Sequence, residues 1–502
     1  MRVLSHVVAI AMAAVALALF WQTPGHSWGD DFAGYLMQAK ALLRAAPAQE
    51  VELNGRLMAA SDWRTGPDAY PWGYPAILAL IIRTVGQNLA TLKLVSIASI
   101  GVVTLAAGLL ACASRLSLLS AACVAILIGM QPDVTSLGNA IGSDALFLAL
   151  TAVALLFAVR ALDAPPNRSS PASRVWPALI AAVLAALSFF VRSNGAVTLI
   201  AIAASLAAVP LFAQRQSLRT VAATIVPFVL VGAALIVAYF VLLPDGNMSL
   251  AEYLSVEPSS LLRRSNDAFV ALGHFIPIVA LPAPLEHLGA AVIGVLAVVG
   301  AFRLRRAGFL LALFAVGHLL LVTLFPFGGG QRYYLPVLLA VVVLAVGGVE
   351  ALAERAATRF SGVRDLKAVR AALVAVLVIG ATASNLYRFD QRREKEIDGP
   401  YSAAATELFQ YVRQQPTEIQ PVGFFKPRAM RLLAGKEAIL VREIGSAERV
   451  NSIAIDRAQY ASTFQLSERQ VAALQDFRPA FRNAEFTFYV RQGHQRRASS
   501  GK

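Results

Sequence analysis

The chain has 502 residues, of which 57% are hydrophobic and 15% are charged, and its formal net charge is +14. A soluble globular domain carries about 25% charged residues, so this composition excludes an ordinary soluble protein and indicates one that buries apolar surface in lipid. The positive charge is not a sign of nucleic-acid binding, because the basic residues lie between the apolar runs, where membrane topology places them.

Apolar runs recur along the first 390 residues, and several approach the ~20 residues that a membrane-spanning helix needs. The first run, residues 3–20, resembles a signal peptide, but no small-residue cleavage site follows it, so we interpret it as a retained helix. With this helix included, the runs predict about eleven spans. The later runs cover residues 92–112, 117–131, 143–159, 176–191, 194–212, 221–243, 287–302, 308–326, 333–349 and 371–386.

The loops that carry arginine predict the orientation, because positively charged loops stay in the cytoplasm. These loops alternate correctly only if residues 75–85, a short run with Arg83, lie at the outer interface or dip part-way into the membrane. The N-terminus is then cytoplasmic and residues 22–91 form an external loop. The arginines used are Arg115, Arg168, Arg174, Arg215, Arg219, Arg303, Arg305, Arg306, Arg355, Arg359, Arg364 and Arg370.

The composition becomes polar at residues 387–400 and stays so to the end. We therefore predict a transmembrane domain at residues 1–390, which includes the external loop, and a C-terminal domain at residues 391–502 on the outer side. The predicted fold is an all-α polytopic membrane protein with a small C-terminal α/β soluble domain. The tail has helix-like runs at 403–414 and 468–476 and strand-like runs at 422–425, 438–441 and 486–490.

Two adjacent carboxylates, Asp30 and Asp31, stand in "WGDDFAGYL" (residues 28–36), just beyond the first predicted span. An N-cap for a helix over residues 32–43 would explain one aspartate but not both. Asp31 and Tyr35 are four residues apart and share a helical face, so Tyr35 could orient the carboxylate by a hydrogen bond. We take Asp30 and Asp31 as candidate catalytic residues and Tyr35 as a candidate substrate-binding residue.

Four more polar residues in or beside spans fall on the same predicted side: Asp144, Arg192, Arg332 and Tyr333. Ionisable groups at such depths are costly and usually functional, so we take all four as candidate substrate-binding residues. Asp144 has an alternative role as an acid in the first turn of a helix. The two arginines have an alternative role in reaching lipid phosphates, and Tyr333 could be an interface anchor.

The sequence gives no sign of two common kinds of site. The histidines lack the spacing of zinc ligands, and "GGGQR" lacks the strand, helix and lysine of a nucleotide-binding loop. A nucleotide-sugar donor or ATP is therefore unsupported. A carboxylate pair, outward-facing arginines and an interfacial helix instead suit a lipid-borne phosphate substrate.

Four stretches, in this order, resemble the membrane glycosyltransferases of the C-type fold, in particular the protein O-mannosyltransferases and the lipid A aminoarabinose transferases. They are "GDDFAGYLMQAKAL", "YPWGYPAILALIIRTVG", "GSDALFLAL" and "FFVRSNGAVTLI", and the likeness covers roughly residues 1–350. The sequence departs from that pattern at Tyr70, Pro71 and Trp72, where the aminoarabinose enzymes carry a lysine before paired prolines. The tail after Pro400 matches no part of the family that we can assign.

This resemblance implies a sugar donor linked through one phosphate to a polyprenol, and transfer with inversion to an acceptor hydroxyl at the outer face of the bacterial inner membrane. Asp31 or Asp30 would be the general base. Arg332 and Arg192 would neutralise charge on the departing phosphate. Asp144 would orient the acceptor or share a divalent cation with the pair; a lone carboxylate base can work without a metal.

Two other classes of protein compete with a transferase. A transporter or flippase of lipid-linked sugars would also bury charges among helices, but it should show broken spans paired between two similar halves, and no such pairing is evident in the sequence. A scaffold that presents its C-terminal domain would leave Asp30, Asp31, Asp144 and Arg332 without a purpose. The acceptor could be a lipid, a glycan or a protein.

Overall fold

A computed structural model describes most of the chain: residues 2–64, 66–164, 172–244, 246, 258–273, 283–324, 331–359, 399–457 and 465–492, with a few residues between 375 and 387. The chain forms two compact units. The membrane unit consists of Met1–Gln22, Lys93–Leu242 and Ser249–Lys395. The sheet unit consists of Thr23–Leu92, Leu243–Met248 and Glu396–Lys502.

Among the described residues, seven helices are long and apolar enough to cross a membrane, or eight if one bent pair of helices forms a single span. The bent pair is Leu118–Gly129 with Pro132–Asn139, at an angle of 47°. The chain is therefore a mostly helical, multi-pass membrane protein. The seven are Leu89–Ala113, Asp144–Asp163, Ser173–Val191, Gly195–Ala213, Leu218–Leu242, His287–Leu324 and Arg332–Ala356.

The predicted runs correspond to these helices with three differences. The first run is a shorter apolar helix, Leu4–Phe20. The runs 287–302 and 308–326 belong to one 42-residue helix, Ala283–Leu324, whose backbone is non-helical at Arg305 (φ 50°). A single crossing needs only about 20 residues, so this interruption separates two predicted spans. The run 371–386 falls mostly outside the described residues.

The core of the membrane unit is built largely from alanine and branched aliphatic side chains. Ala152, Leu155, Ile202, Phe314 and Leu338 are all at most 1% exposed. Small side chains let helix backbones approach closely, which favours association in lipid. The outward faces stay apolar, as lipid contact requires. The span that ends at Val191 begins at Ala172 and contains Pro177. A further helix of this unit is Pro258–Gly273.

The sheet unit combines three helices from the predicted external loop with three from the C-terminal tail. The loop helices are Asp30–Leu43, Pro47–Ala60 and the 13-residue apolar helix Gly73–Val85. The last matches the predicted interfacial helix in position; its place at a membrane surface stays a prediction. The tail helices are Ala403–Gln414, Pro427–Ala434 and Glu468–Ala472.

A five-stranded mixed sheet runs through the tail, in the order β2-β1-β3-β5-β4. β1 pairs in parallel with β2 and β3, whereas β3–β5 and β5–β4 are antiparallel. The prediction of a small α/β fold in the tail is thus confirmed. The strands are β1 (Val422–Gly423), β2 (Ala438–Ile439), β3 (Ser452–Asp456), β4 (Phe477–Arg482) and β5 (Phe486–Arg491).

Candidate active site

The two aspartates of "WGDDFAGYL" occupy the first turn of a helix, not its N-cap. The helix begins at Asp30, and the N-cap is Gly29 in an extended conformation (φ −64°, ψ 130°) with no side-chain cap. The alternative role of one aspartate as the N-cap of a helix over residues 32–43 is therefore not observed. Gly29 provides the extended backbone that a cap position needs, which moves the start of the helix two residues earlier.

Trp28 anchors this stretch in the core of the tail. Its ring centre lies 4.9 Å from that of Phe425, and the rings of Phe409, Phe424 and Phe486 lie 6.0–6.3 Å away. Tilted and edge-on ring pairs at such distances add to the burial free energy. The side chain two residues before Asp30 is thus fixed by residues about 380–460 positions later in the sequence.

Asp30 is enclosed by the helix Pro427–Ala434. Its side chain is 5% exposed, and Oδ1 accepts hydrogen bonds from the backbone N–H groups of Arg428 (3.1 Å) and Ala429 (3.4 Å). The Arg428 Nε atom lies 4.0 Å from Oδ2. Burial raises the pKa of Asp30 above its ordinary value, while Arg428 and Lys426 oppose the rise. Asp30 therefore satisfies the orphan donors at the start of another helix.

Asp31 is half-buried, and its Oδ1 atom accepts a 2.7 Å hydrogen bond from the Tyr70 hydroxyl. Burial raises the pKa of Tyr70 well above its ordinary value, so the phenol stays protonated and acts as a donor. The Tyr35 ring packs tilted against that of Tyr70 (centres 4.6 Å apart) and edge-on against that of Tyr74 (5.0 Å). Tyr35 thus lies on the aspartate face of the helix, as its spacing predicts, and it supports the tyrosine that contacts Asp31.

Arg428 is the functional candidate that sequence reasoning missed. It is 1% exposed, and its Nη1 atom donates a 2.7 Å hydrogen bond to the Tyr70 hydroxyl oxygen. The guanidinium also donates to the Pro67 carbonyl and to Asn54 Oδ1, and lies 5.1 Å from the centre of the Tyr70 ring. Its only signal in the sequence is a second arginine three residues later, Arg431, which predicts a shared helical face.

Two glycines leave room for this cluster. A Cβ at Gly34 would lie 2.7 Å from Tyr70 Cε2, and one at Gly66 would lie 2.9 Å from Arg428 Nη1. Real Cβ atoms do not approach other atoms so closely. A side chain at Gly34 or Gly66 would therefore have to displace the Tyr70 ring or the Arg428 guanidinium from its present position.

In the membrane unit, Asp144 and Arg192 form an ion pair. Asp144 begins the helix Asp144–Asp163 and is 8% exposed. Arg192 Nη1 donates to Asp144 Oδ1 (2.7 Å) and to Ser143 Oγ (3.2 Å). The Arg192 side chain is 16% exposed. Asp144 does occupy the first turn of a helix, and in addition it pairs with a largely buried arginine.

Arg332 and Tyr333 complete this cluster. They belong to a short 3₁₀ helix, Gln331–Tyr334. The guanidinium carbons of Arg192 and Arg332 lie 5.3 and 5.1 Å from the centre of the Tyr333 ring, and Arg332 Nη2 donates to the Tyr333 hydroxyl (3.3 Å). These side chains, with Phe147 and Asn194, line one small cavity. We call Asp144, Arg192, Arg332 and Tyr333 the arginine cluster.

The residues that the structure describes include no group of three or more histidine, cysteine, aspartate or glutamate side chains that could hold a metal ion. Asp144 belongs to the membrane unit, whereas Asp30 and Asp31 belong to the sheet unit. A divalent cation shared by the three aspartates therefore stays a prediction from the resemblance.

No family model and no curated protein matches this sequence. Solved structures do match. ArnT from Cupriavidus metallidurans, bound to undecaprenyl phosphate, superposes with a TM-score of 0.60 at 11% identity over 96% of this chain and 97% of that one. Its apo structure gives a TM-score of 0.59 at 13% identity.

The archaeal oligosaccharyltransferase AglB from Archaeoglobus fulgidus also matches. In complex with an inhibitory peptide and a dolichol-phosphate, it has a TM-score of 0.53 at 10% identity, over 90% of this chain and 69% of that one. The likeness to ArnT extends over nearly the whole chain, including the tail that the sequence could not assign. The chain therefore has the C-type fold of these membrane glycosyltransferases.

Proposed function

We propose that the protein is a glycosyltransferase that moves a sugar from a polyprenyl-phosphate donor to an acceptor hydroxyl at the outer face of the inner membrane, with inversion at the anomeric carbon. The observation that carries the proposal is the arginine cluster, in a chain whose fold is that of ArnT. ArnT was solved with undecaprenyl phosphate bound, the kind of lipid that such a donor would release.

The charge of the arginine cluster suits a departing lipid phosphate. The carboxylate of Asp144 offsets one guanidinium, so the cluster carries a net charge of about +1. A polyprenyl-phosphate sugar is a phosphodiester, and its phosphate gains negative charge as the bond to the sugar breaks. A fixed positive charge then binds the transition state more strongly than the donor, which is the condition for acceleration.

The proposed general base is Asp31. In a single displacement, the acceptor oxygen attacks the anomeric carbon from the face opposite the phosphate. The C–O bond to the phosphate breaks with its electron pair, and the acceptor proton passes to the Asp31 carboxylate. Of the two aspartates, Asp31 is the more exposed. Asp30 serves instead as a buried acceptor for the helix Pro427–Ala434.

The Asp163 end of the Asp144–Asp163 helix indicates the orientation of the membrane unit. There Asp163 pairs with Arg115 (3.2 Å) and lies 3.9 Å from Arg306. Arginine-rich helix ends favour the cytoplasm, so Asp144, at the other end of this 20-residue helix, is assigned to the outer face. The C-terminal domain is assigned to the periplasm by the same parity.

The test is donor turnover by purified protein in detergent, with a panel of undecaprenyl-phosphate hexoses and pentoses and a membrane extract as acceptor source. We expect release of undecaprenyl phosphate from at least one donor, with and without EDTA. The same donors are placed in vesicles that contain the protein. Transfer of intact donor across the vesicle membrane without release would overturn the proposal in favour of a flippase.

A further inference from the structure

Three segments of the sheet unit meet at the Tyr70 hydroxyl. The Arg428 guanidinium donates to the Tyr70 hydroxyl oxygen at 2.7 Å, and the same hydroxyl donates to Asp31 Oδ1 at 2.7 Å. Arg428 comes from the C-terminal tail, 358 residues after Tyr70. The result is a chain of two hydrogen bonds from a buried cation through a phenol to a half-buried carboxylate.

The chain gives Tyr70 a defined direction of donation. Because Arg428 has only donors to offer, the Tyr70 oxygen must accept from it and its proton is left for Asp31. Consecutive hydrogen bonds of this kind polarise one another, and a guanidinium at the start strengthens the phenol as a donor. A donor to the ionised form of a carboxylate stabilises that form.

The same guanidinium lies near a second carboxylate. Asp30 is adjacent in sequence, and its Oδ2 atom is 4.0 Å from Arg428 Nε. Two neighbouring carboxylates repel each other, which disfavours ionisation of both. Arg428 faces Asp30 directly and reaches Asp31 through Tyr70, so it offsets the repulsion on both.

We propose that Tyr70 and Arg428 are positioning residues for the base Asp31, and that the C-terminal tail thereby contributes a residue to the reaction. The inference rests on the proposed function in so far as Asp31 is the base. Tyr70 fixes the direction of the carboxylate and stabilises its ionised form through the 2.7 Å hydrogen bond. Arg428 holds Tyr70 in the donating orientation.

The test uses Tyr70→Phe and Arg428→Met, with Arg428→Lys as the conservative variant. Arg431→Met is the matched control, because Arg431 is in the same helix and its side chain is also largely buried, but it pairs with Glu50. We expect Tyr70→Phe and Arg428→Met to lower kcat about 10–100-fold with little change in KM. The acid limb of the pH–rate profile should move to higher pH, with partial restoration in Arg428→Lys.

A second readout does not need turnover. Water-soluble carbodiimides modify protonated carboxyl groups, so the pH at which Asp31 stops reacting reports its ionisation, measured by mass spectrometry of its peptide. We expect this midpoint to rise by about one pH unit or more in Tyr70→Phe and Arg428→Met. In Arg431→Met it should stay at the wild-type pH.

The outcomes separate the two proposals. If the midpoint moves as expected but no donor turns over, the hydrogen-bond chain stands and the proposed function fails. The positioning role is overturned by a different result. In that case donors turn over and Asp31→Asn is inactive, but Tyr70→Phe and Arg428→Met have the same midpoint of Asp31 modification and the same acid limb of the pH–rate profile as Arg431→Met. An equal loss of thermal stability in Tyr70→Phe, Arg428→Met and Arg431→Met, with no shift of the Asp31 midpoint, would likewise show that Tyr70 and Arg428 act only through packing.

Discussion

The carboxylate site of the sheet unit and the arginine cluster of the membrane unit differ in where their residues come from. Asp31 and Tyr70 lie 39 residues apart in the external loop, and Arg428 comes from the tail, 358 residues after Tyr70. In the arginine cluster, Arg192 meets Asp144 across 48 residues, and Arg332 and Tyr333 are neighbours in sequence. The first site therefore depends on the packing of a whole unit, and the second on the ends of a few helices.

The two sites also differ in how their charges are enclosed. Arg428 is 1% exposed and has a hydrogen-bond acceptor for each of its three nitrogens. Arg332 is exposed and lies against a tyrosine ring. A fully satisfied buried guanidinium is suited to holding other groups in place, whereas an exposed one is available to a ligand. Under the proposed function, this difference suits the sheet unit to positioning and the arginine cluster to anion binding.

Loss of the Trp28 anchor should disturb the sheet unit most. Replacing a well-packed tryptophan by alanine costs about 3–5 kcal/mol, and because Trp28 is only half-buried we expect about 3 kcal/mol. The matched control is Trp63→Ala, since Trp63 is 47% exposed and has one arginine over its ring. Thermal unfolding in detergent measures both. Equal losses in the two variants would show that Trp28 is not an anchor.

Changes in the arginine cluster should weaken anion binding without unfolding the protein. We expect Arg332→Gln and Arg192→Met to lower the affinity for undecaprenyl phosphate by about 10–100-fold. Arg192→Met should have the larger effect, because it also leaves Asp144 without its 2.7 Å partner. Titration of purified protein with undecaprenyl phosphate tests this. Arg303→Gln, which breaks a half-exposed ion pair with Glu354, should bind undecaprenyl phosphate like wild type. An equal loss of affinity in Arg303→Gln would show that the arginine cluster is not a specific site for the anion.

Asp30 should contribute to stability and not to the reaction step. Asp30→Ala leaves two backbone N–H groups without their acceptor and should cost about 1–3 kcal/mol, whereas Asp30→Asn keeps an acceptor oxygen and should cost less. Burial raises the pKa of Asp30, so the folded protein binds its proton more tightly than the unfolded chain. Its contribution to stability is then greatest at low pH and falls as pH rises through the folded pKa.

Thermal unfolding of wild type and Asp30→Asn, from low pH to above the folded pKa of Asp30, measures how the Asp30 contribution to stability depends on pH. The stability of wild type relative to Asp30→Asn should decrease as pH rises. A relative stability that increases with pH would mean that Arg428 and Lys426 outweigh burial and that the carboxylate is charged in the folded protein.

Sequence reasoning singled out residues that the structure brings together where charged side chains stand against an apolar background. Asp144, Arg192 and Arg332 were recognisable because ionisable groups near spans are rare. The same contrast is missing in the polar tail, where Arg428 is one arginine among many. Its partner Tyr70 attracted notice only as a departure from the family pattern, although the Asp31 carboxylate faces it.

The remaining differences also have local causes. β3 ("SIAID") is fully buried on both faces, so it lacks the alternation that marks a half-buried strand. β4 ("FRPAFR") carries proline and two arginines, which are tolerated because it is an edge strand of the sheet. The interruption at Arg305 falls where the arginine-containing loop between the predicted spans 287–302 and 308–326 was expected. Asp31 lies in the first turn of its helix because Gly29 is the N-cap residue.

The role of Asp31 as the general base is tested most directly by the Asp31→Asn variant, measured for undecaprenyl phosphate binding and for donor turnover in the same preparation. The control is Asp68→Asn, which replaces a carboxylate of the same unit that pairs with Arg64. We expect Asp31→Asn to bind undecaprenyl phosphate like wild type while turnover falls by about 10²–10⁴-fold, and Asp68→Asn to keep both binding and turnover. Turnover near the wild-type rate in Asp31→Asn would contradict a role of Asp31 as the base.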